Sequence, residues 1–302
     1  MFTNKSSSLD ALLHRTRPSW FEMFLKSPLK TLARTLYSWR GIPASQHLSP
    51  PLTVVCISDT HNSQPKIPLG DLLIHAGDLT QGGTAQELQT AFDWVNSLPH
   101  AYKVVIAGNH DMLLDKAKFP EQAGLRKSLR WGSINYLENT VKILRFPGGR
   151  NLKIYGSPYT RKHGNWGFQY PPGTDVFSAT VPEDVDILIT HIPPRFHLDV
   201  DGFGDDYLLH ELWRVRPILH VFGHVHEGFG IDVLRFDGFE RIYENICRGK
   251  GTFLMILQMV AKLLKETLID RSDTNSYTLL INPASIGGLT DSVKRQPIVI
   301  QI

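Results

Sequence analysis

From residue 51 onward, short apolar runs alternate with polar stretches. "LTVVCIS" (52–58), "DLLIHAG" (71–77), "KVVIAG" (103–108), "LKIYGS" (152–157), "DILITH" (186–191) and "ILHVFG" (218–223) are six or seven residues long, and most end in Gly, Ser or His. Runs this short read as strands buried on both faces, as in a parallel sheet covered by helices. "YTLLINPAS" (277–285) reads as a further strand. Between the second and third runs, Leu88, Ala91, Phe92 and Val95 share one helical face, and Thr84 with Glu87 forms a capping box that starts it. Residues 252–269 follow a helical period as well. The stretch 159–173, "YTRKHGNWGFQYPPG", reads as a loop rich in glycine and aromatics. The pattern predicts an α/β protein.

Residues 1–50 differ in texture. Ser6 to Ser8, Pro18, Pro28 and Pro43 interrupt them, while Leu29, Leu32, Ala33 and Leu36 keep helical spacing. They carry Lys5, Arg15, Arg17, Lys26, Lys30, Arg34 and Arg40 against Asp10 and Glu22, a net of +5. The whole chain of 302 residues has a net charge of +3, so the remainder sums to −2. The expected organisation is a basic, partly helical appendage over 1–50 and a single body over 51–302, with a helical insertion at about 245–272.

The overall composition is that of a globular protein, 42% hydrophobic and 20% charged. Two cysteines, Cys56 and Cys247, imply no disulfide framework and fit a reducing compartment. The N-terminus lacks the apolar centre of a secretory signal, and no window is long enough to span a bilayer. A cytoplasmic location is expected, with a membrane-peripheral one as the variant. In 252–269 the polar stripe is narrow, consisting of Gln258, Lys262, Lys265 and Glu266. Intramolecular packing of its wide apolar face is the favoured reading. A peripheral membrane or oligomer contact, helped by the basic N-terminal arm, is the alternative.

The polar residues that follow the apolar runs carry the chemistry. Asp59 and His61 follow the first, in "SDTH", and Asp78 follows the second, in "HAGDLT". Asn109, His110 and Asp111 follow the third, in "AGNHD". His191 ends a later run, and His224 and His226 follow the last, in "FGHVHEG". All sit at the C-terminal edge of a strand, where open α/β sheets bind ligands. Carboxylate, amide and imidazole form a nitrogen and oxygen donor set without sulfur, suited to Mn, Fe, Zn or similar ions. Asp59, His61, Asp78, Asn109, His191, His224 and His226 are too many for one ion that must also hold substrate. They suit two ions with a bridging carboxylate, and Asp78 is the best candidate for the bridge. Gly77, Gly108 and Gly223 let the backbone turn close to the site.

D-x-H, G-D, G-N-H-[DE], a lone His and G-H-x-H, in that order, resemble the signature of calcineurin-like metallophosphoesterases. "IYGSPYTRKHGNWGF", "ITHIPPRFHLD" and "LHVFGHVHEGFG" resemble the metallophosphoesterase-domain-containing subfamily of animals and fungi. The resemblance implies a four-layer α/β/β/α sandwich, two packed mixed β-sheets flanked by helices. It implies a hydrolase with two divalent metal ions (Mn2+, Fe2+/3+, Zn2+ or similar). Asp59, His61, Asp78 and His226 would hold one ion, and Asp78, Asn109, His191 and His224 the other. A metal-bound hydroxide would attack phosphorus and His110 would protonate the leaving oxygen. Asp111 would orient His110 or stabilise its charged form; a cap on the following helix is the alternative.

Other polar residues carry weaker expectations. His75 and His220 read as hydrogen-bonded core histidines. His163, Asn165 and Trp166 stand at even odds between substrate contact and a rigid lid. His197 and Asp199 read equally as partners of His191 or as loop caps.

The Asp-Arg pair with which Ser/Thr protein phosphatases follow G-D is missing from "GDLTQGG", and the body offers no basic track for nucleic acid. A small phosphodiester or phosphomonoester is expected, nucleotides and cyclic nucleotides among them. The alternative is a catalytically weak nucleotide-binding or membrane-peripheral regulatory protein on the same fold.

Overall fold

The computed structural model describes residues 19–43, 51–200, 202–268, 277–288 and 292–302. Of the expected basic arm, Lys5, Arg15 and Arg17 lie outside the described residues, as does Ile269 at the end of the second expected helix. In chain order, helices α1 (Trp20–Lys26) and α2 (Pro28–Ser38) precede strands β1 (Thr53–Ile57) and β2 (Leu72–Ala76). Next come α3 (Ala85–Ser97), β3 (Tyr102–Ile106), α4 (Ala123–Ser128), β4 (Ile134–Tyr136), β5 (Thr140–Arg145) and β6 (Asn151–Ser157). The short β7 (Thr160–Arg161) and β8 (Gln169–Tyr170) precede β9 (Ile187–Thr190), α5 (Asp206–Val215), β10 (Leu219–Val221) and β11 (Gly230–Arg235). Helices α6 (Gly238–Asn245) and α7 (Phe253–Leu268) follow, then β12 (Tyr277–Asn282), β13 (Ile286–Gly287), β14 (Val293–Lys294) and β15 (Ile298–Gln301).

The described chain divides into two compact units, one of residues 42–235 with 276–302, the other of 1–41 with 236–275. In the first, two mixed sheets have the orders β15-β1-β2-β3-β4 and β11-β12-β10-β9-β6-β5. Alternation along each strand builds the layers. In β1, Val54 and Cys56 join Leu72, Ile74, Val104 and Ile106 in a core that also takes Ile154, Ile187, Ile189 and Val221 from the second sheet. Val55 and Ile57 point the other way, into a cluster with Leu88, Phe92 and Val95 of α3. The expected capping box is present, with the Thr84 hydroxyl accepting from the Glu87 backbone and the Glu87 carboxylate accepting from the Thr84 backbone. Two large mixed sheets flanked by helices form the sandwich that the resemblance implies.

Each of the seven apolar runs forms a strand. The reading missed β5, β11 and β15, which pair antiparallel with β6, β12 and β1. All three are edge strands, and β5 and β15 have most or half of their residues exposed, so no continuous apolar run announces them.

The second unit is helical. On α2, Thr31, Ala33 and Leu36 are buried, and Tyr37 stacks on Tyr243 of α6 at 4.2 Å between ring centroids. Arg40 bonds Asp237 at 2.5 Å and Glu266 at 2.7 Å, and its guanidinium lies 4.5 Å from the Phe239 ring. The Asp237 side chain also caps α6, accepting from Phe239 and Glu240. Helix α7 buries Ile256 and Met259 and packs against α2 and α6. Among the described residues no helix is long and apolar enough to cross a membrane.

His75 of β2 and His220 of β10 are fully buried, one in each sheet. Thr60 Oγ1 donates to the Leu79 carbonyl at 3.3 Å, so it accepts from His75 Nε2 at 3.0 Å. Thr190 Oγ1 donates to the Ile192 carbonyl and likewise accepts from His220 Nε2 at 2.8 Å. Burial pushes both imidazoles down to about 3. Between that value and the ordinary 6.5, the unfolded chain takes up protons that the folded chain refuses. The contribution of these two residues to stability is therefore complete above pH ~6.5 and falls as pH drops toward 3. Replacing both residues by glutamine (H75Q/H220Q) keeps a donor for each threonine and removes the titration. We expect the acid limb of unfolding, followed by circular dichroism, to lose up to about 2.7 kcal/mol of slope per pH unit, two protons' worth. An unchanged limb would place the acid sensitivity elsewhere.

Candidate metal centre

Two loops at the strand ends lie against each other. The Asp59 N–H donates to the Gly77 carbonyl at 2.9 Å, and the N–H groups of Thr60 and His61 donate to the Asp78 carbonyl at 2.9 and 3.1 Å. Asp59, His61, Asp78 and His224 all adopt left-handed backbone, with φ of 49°, 42°, 55° and 65°. This region costs an ordinary L-residue about 1–2 kcal/mol, and it concentrates at functional sites where surrounding structure enforces it. The loop-to-loop hydrogen bonds are that enforcement here.

The side chains converge. In three groups, Asp59–His61–His226, His61–Asp78–His110 and Asp78–His191–His224, one ligand atom of each residue lies within 4.8 Å of the others. Asp78 Oδ2 is 3.6 Å from His61 Nε2 and 3.2 Å from His191 Nε2, so one carboxylate oxygen faces both halves of the cluster. Its Oδ1 accepts from the His110 N–H at 2.7 Å. Asp59 mirrors this, with Oδ1 accepting from the His224 N–H at 2.9 Å and lying 3.5 Å from His226 Nε2. Asn109 is almost completely buried and its Oδ1 has no hydrogen-bond donor. His191 donates from Nδ1 to the Ala76 carbonyl at 2.8 Å, which directs Nε2 at the cluster.

The glycines make this possible. A Cβ on Gly108 would strike Asp78 Oδ1, and one on Gly223 would strike Asp59 Oδ2. A Cβ on Gly77, which has φ of 95°, would lie 2.5 Å from His191 Nδ1. Gly228 serves packing, since its Cβ would meet the Leu198 carbonyl oxygen.

The electrostatics suit cations. Burial opposes ionisation of Asp59, but the hydrogen bond and charge of His226, then His191, hold it at about 2. Asp78 is also buried, yet His191 and His61 hold it well below the usual carboxylate range. Burial and the neighbouring His191 press His224 down to about 3, and burial lowers His61. His191 goes the other way: burial would lower it, but Asp78 and Asp59 raise it to about 9. Two carboxylates with neutral imidazoles and an undonated amide oxygen form a hard donor set that fits divalent ions.

Around this cluster, His110 donates from Nδ1 to the Gln81 carbonyl at 2.8 Å, which leaves Nε2 for other work. Its ring stacks on Trp166, with centroids 3.9 Å apart and planes at 26°. Trp166 thus reaches the centre from the 159–173 loop, whereas His163 and Asn165 are exposed and their side chains hydrogen-bond no other described residue. The Asp111 side chain turns away from both His110 and the following turn. Its side chain makes no cap on the 3-10 turn Met112–Leu114 and no bond to His110. Instead it accepts from Gly108 at 2.8 Å, Leu79 at 3.2 Å and Thr80, both N–H and hydroxyl, at 3.0 and 2.8 Å. It ties the loop of Asp78 to the loop of Asn109. Burial, then the charge of Asp78, raises its carboxyl to about 6. His197 bonds Asp232 of β11 at 3.0 Å, and Asp199 accepts from the Gly204 N–H, so neither supports His191.

Two residues that hold the G-H-x-H loop escaped the sequence reading. Asn282 Nδ2 donates to the Val225 carbonyl at 2.9 Å, and Arg295 donates from Nη1 to the His226 carbonyl and to the Ile286 carbonyl. Asn282 carried a usable signal, a polar residue ending the buried run "YTLLIN". Arg295 carried none.

Gly108→Ala and Gly223→Ala place methyl groups against the two carboxylates. We expect each protein to fold but to carry less than half the metal of the native chain after loading with Mn2+, measured by elemental analysis. Gly124→Ala, at a helical position open to solvent, should bind as the native chain does. Full loading of the first two variants would contradict the carboxylate cradle.

A family model described as Calcineurin-like phosphoesterase matches residues 52–228, more than half of the chain. The chain is 41% identical over 298 residues to a protein of Emericella nidulans named Probable rhamnogalacturonate lyase C, covering 97% of this chain and 29% of that protein. It is 38% identical over 205 residues to human Metallophosphoesterase domain-containing protein 1, covering 59% of this chain and 61% of that one. A UPF0046 protein of Caenorhabditis elegans is 35% identical over 204 residues, with 61% and 66% covered. The chain thus spans under two thirds of the length of each of these relatives. The matched segment contains every strand-end candidate ligand described above, from Asp59 to His226, and with it the chain belongs to the calcineurin-like phosphoesterase family.

Proposed function

We propose that the chain is a dinuclear metal-dependent phosphoesterase that hydrolyses a small phosphodiester or phosphomonoester, with nucleotides and cyclic nucleotides among the candidates. The observation that carries this is Asp78 Oδ2 standing between His61 and His191, with Asp59 and His226 on one side and His224 on the other. Asp59, His61, Asp78 and His226 would hold one ion, and Asp78, Asn109, His191 and His224 the second. Mn2+ is a good match to this oxygen and nitrogen set, with iron and zinc as competitors. When bound, such ions neutralise phosphate charge and acidify water.

The protein's own groups do the rest. His110, fixed through Nδ1 by Gln81 and braced by Trp166, carries on Nε2 the proton that the leaving oxygen needs. Asp111 keeps the two ligand loops in register, a positioning role. The net charge of −2 outside the basic arm argues against a polyanionic strand. A cytoplasmic setting belongs to the proposal and is supported by Cys56, a core thiol whose pKa burial pushes far up, leaving it inert.

The test is hydrolysis of an aryl phosphodiester beside the matching monoester by the Mn2+-loaded full chain. Turnover that vanishes on chelation and in Asp78→Asn is expected; tight nucleotide binding without turnover would favour a binding protein instead. His110→Ala should keep both metals and slow turnover by about 10²–10⁴-fold. The loss should shrink as the leaving group improves, and Trp166→Ala should show the same trend more weakly. An equal loss across leaving groups would remove the proton-donor role from His110.

A further inference from the structure

Helix α7 has more apolar surface than its unit uses. On a helical wheel its residues fall into three sectors. Ile256 and Met259 are buried, with Val260 and Leu263 half-buried beside them. Phe253, Leu254, Leu257 and Leu264 are 66%, 62%, 51% and 54% exposed and, with Ala261, form a second apolar arc about 100° wide. Lys265, Gln258 and Lys262 border that arc and fill the third sector. Helix α1 of the same unit, "WFEMFLK", buries no residue and exposes Trp20, Phe21 and Leu25. Exposed apolar surface of this extent and order marks an interaction face.

Charge indicates what it meets. Segments 1–41 and 236–275 together hold thirteen Lys or Arg against eight Asp or Glu, a net of +5. The described acids are engaged internally. Asp237 and Glu266 bond Arg40, Glu244 bonds Arg248, Glu240 is fully buried, and Glu22 closes the capping box of α1. The lysines Lys26, Lys250, Lys262 and Lys265 are exposed. Lys262 and Lys265 stand beside the apolar arc. An apolar arc bordered by lysines, on a helix of 16 residues that is too short to cross a bilayer, has the character of an element lying in the headgroup plane.

We infer that the helical unit docks on an anionic lipid surface, with Phe253, Leu254 and Leu257 entering the acyl boundary and Lys262 and Lys265 meeting the headgroups. Aromatic residues such as Trp20 and Phe21 suit the same interfacial depth. This inference does not rest on the hydrolytic reading, and the residues involved are not among those placed at the metal centre.

Sedimentation of the full chain with vesicles tests it. Binding to phosphatidylcholine vesicles containing phosphatidylserine should be strong at low salt, fall as salt rises, and be weak without phosphatidylserine. Each lysine near the surface is worth about fivefold in partitioning, so Lys262→Gln with Lys265→Gln should weaken binding by about 25-fold. Leu254→Ser with Leu257→Ser should abolish it, while metal content and hydrolysis stay native. Failure of the native chain to bind anionic vesicles would overturn the inference whatever the variants do. So would a native dimer in analytical ultracentrifugation that the two serines split into monomers, since the face would then belong to a second copy.

Discussion

Two carboxylates, Asp59 and Asp78, sit almost wholly out of water at the joined edges of two sheets. A buried charge without compensation is among the most costly features a fold can carry. The surrounding architecture answers that cost. Backbone N–H groups of His224 and His110 are turned onto the carboxylates, which requires left-handed backbone at His224 and a side-chain-free residue just before each donor's loop. Imidazoles surround both acids, and the two acids raise the pKa of His191 to about 9 against the effect of burial. A cation bound to this set would displace protons of that kind, so metal affinity and pH are linked from the start.

Much of the centre was legible because its grammar is simple. A buried strand has no use for a polar residue at its end, so Asp59, Asp78, Asn109, His191 and His224 stand out by position alone, and the glycines mark where side chains would collide with them. The core strands were equally plain, since burial on both faces leaves uninterrupted apolar runs. Edge strands were not, because β5 is almost wholly exposed and β15 is exposed at every second position. Asp111 was misread for a different reason. It follows His110 directly, but its side chain turns back to backbone donors 31 and 32 residues earlier, and only the folded chain brings these close. Arg295 lies 69 residues from the carbonyl it holds. Trp166 falls between these cases: its loop was noticeable, but its stacking partner could not be read from spacing.

The two core histidines show the same economy in both sheets. His75 and His220 precede ligands by three and four residues. Each gives its Nε2 hydrogen to a threonine beside another ligand, Thr60 after Asp59 and Thr190 before His191. They shape the loops without titrating near neutrality. Burial lowers His61, His75, His220 and His224, whereas Asp78 and Asp59 raise His191.

Strands β11 and β12 meet where Arg235 pairs with Tyr277, so the chain leaves the sheet and returns to it at a single rung of the ladder. Helices α6 and α7 lie in sequence between these two paired strands. The entropic cost of a turn rises only as the logarithm of its length, about 0.6 kcal/mol for each doubling. Such a junction sets little entropic limit on the length of chain between Arg235 and Tyr277, which can change while β11 and β12 keep their register.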